Sequence, residues 1–204
     1  MNITPLALRV SCAVLLLALV SGCTHTMKVA VKPTTLPVSQ KLPHRAALVL
    51  NQELADYKYE MKMMGDTWVY PFGPALQDYA RDVATHCFEN VQIVPSPEQA
   101  SADLVLIPRA LKTEQSMGVW AWDKINLTMS VEWVARDRAS QNTVWLRTIT
   151  GEASEAGGNA FTGPKHRRIL IQKLFDDLSL KTHAAFQEAP ELKRTTAQAA
   201  QPGE

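Results

Sequence analysis

The chain is short of cysteine, of net charge and of long apolar runs, and each shortage removes a class of protein. Three cysteines, Cys12, Cys23 and Cys87, are spread over 204 residues. That is too few for a disulfide-stapled scaffold or for a thiolate metal centre. His25, His44, His86, His166 and His183 show no ligand spacing, so neither a metal nor another cofactor is expected. The formal net charge is +1, which gives no general pull on phosphate backbones and argues against a nucleic-acid partner. The one long apolar run, Val10 to Val20, would span about 16 Å as a helix, against a bilayer core of about 30 Å. No motif joins a nucleophile to a base and an oxyanion donor, so the expectation is a protein that is not an enzyme.

What the sequence does have begins at that run. The first nine residues carry one cation, Arg9, and no acid; the apolar core follows, and then the small residues Ser21 and Gly22. These are the three parts of a secretory signal. Val20-Ser21-Gly22-Cys23 resembles the lipobox of bacterial lipoprotein precursors, with Val20 where that pattern prefers Leu. The resemblance implies cleavage between Gly22 and Cys23 and a diacylglycerol on the Cys23 thiol. Thr24 stands where an inner-membrane retention signal would have Asp, which implies the outer membrane, on its periplasmic face. Two or three acyl chains together anchor stably where one does not. Loss of residues 1–22 removes Arg9 and no acid, leaving 20 basic and 20 acidic residues. Cys87 is then the one free thiol.

Residues 23–43 read as the lipidated cysteine followed by a flexible tether. Pro33, Pro37 and Pro43 favour extended chain, which at about 3.1 Å per residue reaches up to ~60 Å from the bilayer. A short strand within "MKVAVK" is one alternative there. Residues 187–204, polar and rich in Ala, Thr and Gln, read as a disordered tail. Between them, residues 44–186 suffice for one domain with a real core.

Within the domain, "RAALVLNQ" is an apolar run suited to a central strand, and "YKYEMKM" alternates as a half-buried one. After "PFG", Pro74 suits the first helical position with Gly73 as a cap. Leu76, Tyr79, Ala80, Val83 and Cys87 make one apolar stripe of a helix ending near Asn90. "VQIVP" and "ADLVLIPRALKTE" read as strands. "INLTMSVEW" alternates with Ile125, Leu127, Met129, Val131 and Trp133 inward, and "TVWLRTITGEAS" returns after a turn as its hairpin partner. Pro164 opens a second helix with Ile171, Leu174, Phe175, Leu178, Thr182 and Ala185 on one side. The expected fold is α+β: a mostly antiparallel sheet with two amphipathic helices packed on one face.

Four features invite a chemical reading. His86 beside Cys87 suggests a nucleophile pair, but adjacent helical residues point about 100° apart, and Cys87 falls on the apolar stripe. "GNAFTGPK" follows a strand and opens a helix as a phosphate loop does. Pro164 removes a backbone donor, however, and no Ser or Thr follows Lys165. "KHRR" places Lys165, Arg167 and Arg168 in the first helical turn, against the helix dipole. It is either a solvated basic end or a docking patch for lipid phosphate or an acidic partner. "SMGVWAWDK" sets Trp120 and Trp122 on one strand face, either packed on the sheet or exposed as a patch for a protein or glycan. Trp68, Tyr70 and Phe72 could extend that patch.

The lipobox, the "FGPALQDYARDVATHCFENVQIV" helix and strand, "ADLVLIP" and the meander together resemble small outer-membrane lipoproteins with a compact α/β domain. Those are YajG-like lipoproteins and accessory lipoproteins of lipopolysaccharide assembly, curli secretion and exopolysaccharide export. The resemblance implies a lipid-anchored periplasmic protein that docks on an envelope assembly or transport machine through a protein partner. The alternatives are a glycan- or lipid-binding lipoprotein and an envelope hydrolase. Among site residues, it carries over Cys23 alone.

Overall fold

A computed structural model describes residues 23–63, 65–117, 123–156 and 163–193. Its main sheet holds five strands in the order β5-β2-β6-β7-β8. They are β2 (Leu42–Val49), β5 (Phe88–Val94), β6 (Leu104–Met117), β7 (Lys124–Asp137) and β8 (Thr143–Ala156). A smaller sheet has the order β1-β4-β3, from β1 (Thr24–Thr26), β3 (Tyr59–Met63) and β4 (Asp66–Tyr70). The α+β class is as expected, and both sheets are mixed. The long β6–β7–β8 meander is antiparallel, whereas β2 runs parallel to both its neighbours. The 42–49 strand is interior because its residues Ala46, Ala47, Leu48 and Val49 are apolar on both faces, as a doubly covered parallel strand requires.

Two long helices cover one face. They are α2 (Gly73–Cys87) and α3 (Gly163–Glu188); a one-turn helix, α1 (Gln52–Ala55), precedes them. The predicted stripe of α2 is buried in full, as are the five inward residues of β7. Trp133, Phe175, Phe186 and Leu178 lie fully buried between sheet and helices. The opposite face carries a second, smaller cluster of Ala47, Val49, Val105, Ile107 and Val134, roofed by Ala100 and Ala102. The 3₁₀ turn Pro97–Gln99 leads into that roof. On α3, Lys181, Asp177 and Lys173 bond Thr150 O, Glu152 N and Ser154 O of the edge strand β8. This satisfies the edge between Thr150 and Ser154 and closes that stretch to pairing.

Two glycines are required by close approach. A Cβ on Gly73 would lie 1.8 Å from the Ala55 carbonyl oxygen, and one on Gly151 would lie 2.4 Å from Leu178 Cγ. Gly73 is therefore the first residue of α2, with Phe72 as its cap, rather than the cap itself. The helix stops at Cys87, three residues before the expected Asn90, because Phe88 turns extended and pairs with Leu42.

The tether needs the largest correction. Residues 24–41 form a strap laid on the domain. Thr24–Thr26 pair with β4, and Met27 N–H continues to Val69 O at 2.8 Å. Lys32 exchanges bonds with Gln172, Thr34 donates to Asp176 at 2.7 Å, and Ser39 meets His183 at 3.0 Å. Met27, Val29, Val31 and Leu36 pack on the core. No strand forms in "MKVAVK", yet its alternation is used: Met27, Val29 and Val31 face the domain, and Lys28, Ala30 and Lys32 face out. The tail is corrected in the same sense over its first residues. Helix α3 runs to Glu188, and the turn Pro190–Leu192 buries Leu192.

Candidate functional site

The strap brings Cys23 to one end of the domain. Cys23 is exposed. Its backbone N–H donates to Asp66 Oδ1 at 3.0 Å, and its carbonyl accepts from Thr67 N–H at 2.9 Å. Asp66 also holds the His25 ring, Nε2 to Oδ2 at 3.3 Å. His25 lies opposite Trp68 in the register and stacks on it with ring centroids 4.7 Å apart. Two strand residues with aromatic rings on neighbouring chains meet this way because cross-strand partners share a face.

The same tryptophan receives the start of α3. Arg167 Cζ lies 4.2 Å from the Trp68 ring centroid, within cation–π range. Lys165 and Arg168 are exposed on either side of it. Among the described residues none of these three cations has a carboxylate partner. The nearby acids are engaged: Asp66 by Cys23 and His25, and Glu155 by Lys173 Nζ at 2.5 Å and His166 Nδ1 at 3.3 Å. Those two partners hold the Glu155 carboxyl below the usual range, Lys173 first. Beneath Arg167 lies Tyr70, 2% exposed. Its hydroxyl and the Arg167 Nε are both buried without a hydrogen-bond partner among the described residues. Burial pushes the Tyr70 phenol up, and the Arg167 charge acts against that.

The end of the main sheet lies here too. Met117 pairs with Ile125, and Lys124 with Ala156, so β6, β7 and β8 begin or end at the level where α3 starts. Tyr59 of the small sheet, and Tyr57 just before it, bond Gln115 and Thr113 of β6, which aligns the β3–β4 hairpin with that same end. Sequence-distant features thus meet: Cys23, Asp66 and, through Trp68, Arg167, which carries Lys165 and Arg168 in the same helical turn.

The other sequence candidates divide. Trp120, Trp122 and Gly22, with most of "GNAFTGPK", lie outside the described residues. Tyr70 and Phe72 are buried, so they do not extend an aromatic patch; Trp68 is partly buried under Arg167. Cys87 is buried, and burial pushes its thiol up to about 12. Its neighbour His86 points away and bonds the Pro37 carbonyl at 2.9 Å. A cleft of about 240 Å³ between strap and helices is lined by Lys32, Thr34, Asp78, Tyr79, Asp82 and Phe175. Burial and neighbouring Asp78 raise the Asp82 carboxyl. Sequence reasoning missed Asp66 and His25, which acquire a role only through a contact more than forty residues away.

No protein-family model matches the chain, and no curated protein matches it. Solved structures do. The chain is similar to a Xanthomonas campestris protein of the DUF330 family model, with a TM-score of 0.51 at 13% identity, over 81% of this chain and 97% of that one. Looser likenesses include a minor lipoprotein from Acinetobacter baumannii (TM-score 0.38, 17% identity, 70% and 87% covered). A lipoprotein from Neisseria meningitidis is looser still (TM-score 0.34, 10% identity, 64% and 97% covered). At 13% identity the Xanthomonas likeness is one of fold.

Proposed function

We propose that this is a lipid-anchored periplasmic protein, held in the outer membrane through Cys23, that acts as a non-catalytic accessory or docking subunit of an envelope assembly or transport system. One observation carries the reading. The cysteine of the lipobox-like "VSGC" is exposed and fixed to the folded domain through Asp66 and Thr67. Acylation of its nitrogen would leave one N–H, so the bond to Asp66 is compatible with processing. Chemistry elsewhere is spent on structure: Cys87 is packed in the core and His86 secures the strap. Wherever the protein docks, the strap sets its position, because its bonds to α3 leave little slack between lipid and domain.

Labelling cells with radioactive palmitate tests the reading. The wild type incorporates label and fractionates with the outer membrane. Cys23→Ala incorporates none and is lost from the membrane fraction. Equal labelling of the two forms, or of neither, overturns it.

A further inference from the structure

We infer that the Cys23 end of the domain lies directly on the bilayer, and that Lys165, Arg167 and Arg168 bind the phosphate groups of anionic phospholipids in the leaflet that holds the anchor. The inference rests on the reading that Cys23 is acylated, and deepens it by naming what the anchored domain touches first.

The argument starts from distance. A thioether-linked lipid places the Cys23 sulfur at the boundary between acyl chains and headgroups. The backbone of that residue is bonded on both sides to β4. No free chain therefore separates the bilayer from the domain. The headgroup layer is about 5–7 Å deep on each side of the hydrocarbon. Surface electrostatics reach a further ~8–10 Å at ordinary ionic strength. Arg167 is linked to the anchor through one ring: His25 stacks on Trp68, and Arg167 lies over Trp68. The start of α3 is thus within the layer where phosphate charge is felt.

Charge and hydrogen bonding give the kind of ligand. Three cations in one helical turn, with no acid in that turn, oppose the helix dipole. An external anion relieves both the repulsion and the dipole. Arg167 Nε and the Tyr70 hydroxyl are buried donors with no acceptor. Buried polar groups in folded proteins are nearly always paired, and neither atom has a partner among the described residues, so both are open to an oxygen acceptor brought to them. A phosphate diester supplies such oxygens together with the charge that Lys165 and Arg168 meet. Arginine suits this because its planar fork bonds two phosphate oxygens at once.

The test uses the acylated full-length protein in vesicles. A spin label is attached at Met117→Cys, at the anchor end, or at Thr143→Cys, at the far end of β8. Both native residues are exposed. Thirteen residues of strand separate Thr143 from Ala156 at the anchor end, roughly 44 Å. Cys87 is buried and Cys23 acylated, so the label goes to the new thiol. In phosphatidylcholine vesicles containing phosphatidylglycerol, the label at 117 becomes shielded from a water-soluble relaxant, whereas the label at 143 stays wet. In pure phosphatidylcholine both stay wet. Lys165→Gln, Arg167→Gln and Arg168→Gln each reduce the membrane-facing population about fivefold, and the triple variant roughly a hundredfold, as does high salt. A label at 117 as wet as the one at 143 in anionic vesicles, or shielding unmoved by the triple variant, overturns the inference. Inorganic phosphate added to phosphatidylcholine vesicles is the free-anion control; shielding there overturns the bilayer as the source of phosphate. Palmitate labelling of the same samples separates the two claims. An unlabelled Cys23 sinks the anchored reading, whereas labelled protein with a wet position 117 sinks the inference alone.

Discussion

Two buried tyrosines sit in the same domain and are treated in opposite ways. Tyr79, on α2, lies against α3 and β7. Its hydroxyl accepts from Trp133 Nε1 at 3.1 Å and shares a 2.5 Å bond with Thr182 Oγ1. Its ring meets Trp133 and Phe175 edge-on. Tyr70, on β4, packs its ring on Phe72 and Tyr59 but leaves its hydroxyl unpaired beside Arg167. Tyr79 is closed chemistry: every polar group has its partner inside the chain, and the cluster fixes how the helices sit on the sheet. Tyr70 belongs to an open one. The difference teaches where to look for a ligand: Tyr79 is satisfied from within, whereas Tyr70 and Arg167 are two of five groups, with His44, Gln115 and Arg136, that keep a buried polar atom unpaired among the described residues, and they are the two that lie beside the Cys23 end.

The comparison would break if the Tyr70 region were merely loose. Gly73 tests that with the largest expected effect. It follows Phe72 and packs against α1 with no room for a methyl group, since the Ala55 carbonyl oxygen is 1.8 Å from where a Cβ would be. Both are backbone positions, so neither can yield by a change of rotamer. Gly73→Ala should cost about 3 kcal/mol or more, at the upper end of overpacking substitutions, read as a lowered urea midpoint with unchanged slope. A cost below about 1 kcal/mol would mean that the chain carrying Tyr70 and Phe72 shifts freely, and the unpaired hydroxyl would lose its significance.

Tyr79→Phe comes next. It strands a buried indole N–H and a buried threonine hydroxyl, which should cost about 1–3 kcal/mol. Alkaline titration probes the same cluster without a mutation. Burial holds the Tyr79 phenol up to about 12, against 10.0 ordinarily, and the Cys87 thiol up to about 12, against 9.0. Both are raised, so the unfolded chain releases these protons first. Their contribution is complete below pH 9.0 and is lost as pH climbs towards about 12. The unfolding midpoint should fall over that window. Cys87→Ala should delay the onset of the fall to near pH 10, where tyrosine takes over. A midpoint flat from pH 9 to 12 would contradict the closed reading of the core.

How much of this was written locally in the sequence follows the same division. The core was legible because its signals are periodic: Ile125 to Trp133 alternate, and Leu76 to Cys87 recur at helical spacing. The strap was not. Pro33 and Pro37 speak for extended chain wherever it lies, and nothing near Lys32 or Thr34 announces Gln172 or Asp176 as partners. Of the anchor end, Cys23 and the Lys165–Arg168 cations were visible as motifs. Their meeting was not, because it depends on a parallel pairing of three residues with β4 and on one ring, Trp68. Asp66 reads as an ordinary turn residue until Cys23 is laid against it.

Tyr70→Phe has the smallest expected effect on the free protein and sharpens the comparison most. Removing a buried hydroxyl that has no partner, with the ring kept, forfeits no hydrogen bond. In buffer the thermal midpoint should stay within the equivalent of about 0.5 kcal/mol, or rise slightly, in contrast to Tyr79→Phe. On anionic vesicles the order should change. There the wild-type hydroxyl gains an oxygen acceptor from the headgroup layer, worth about 0.5–1.5 kcal/mol as a typical net bond, and more if the acceptor is charged. Vesicles containing phosphatidylglycerol should therefore raise the wild-type midpoint more than that of Tyr70→Phe, while phosphatidylcholine raises neither differentially. If Tyr70→Phe is already destabilised in buffer, the hydroxyl has a partner within the chain. Tyr70 and Tyr79 would then be two versions of the same closed design.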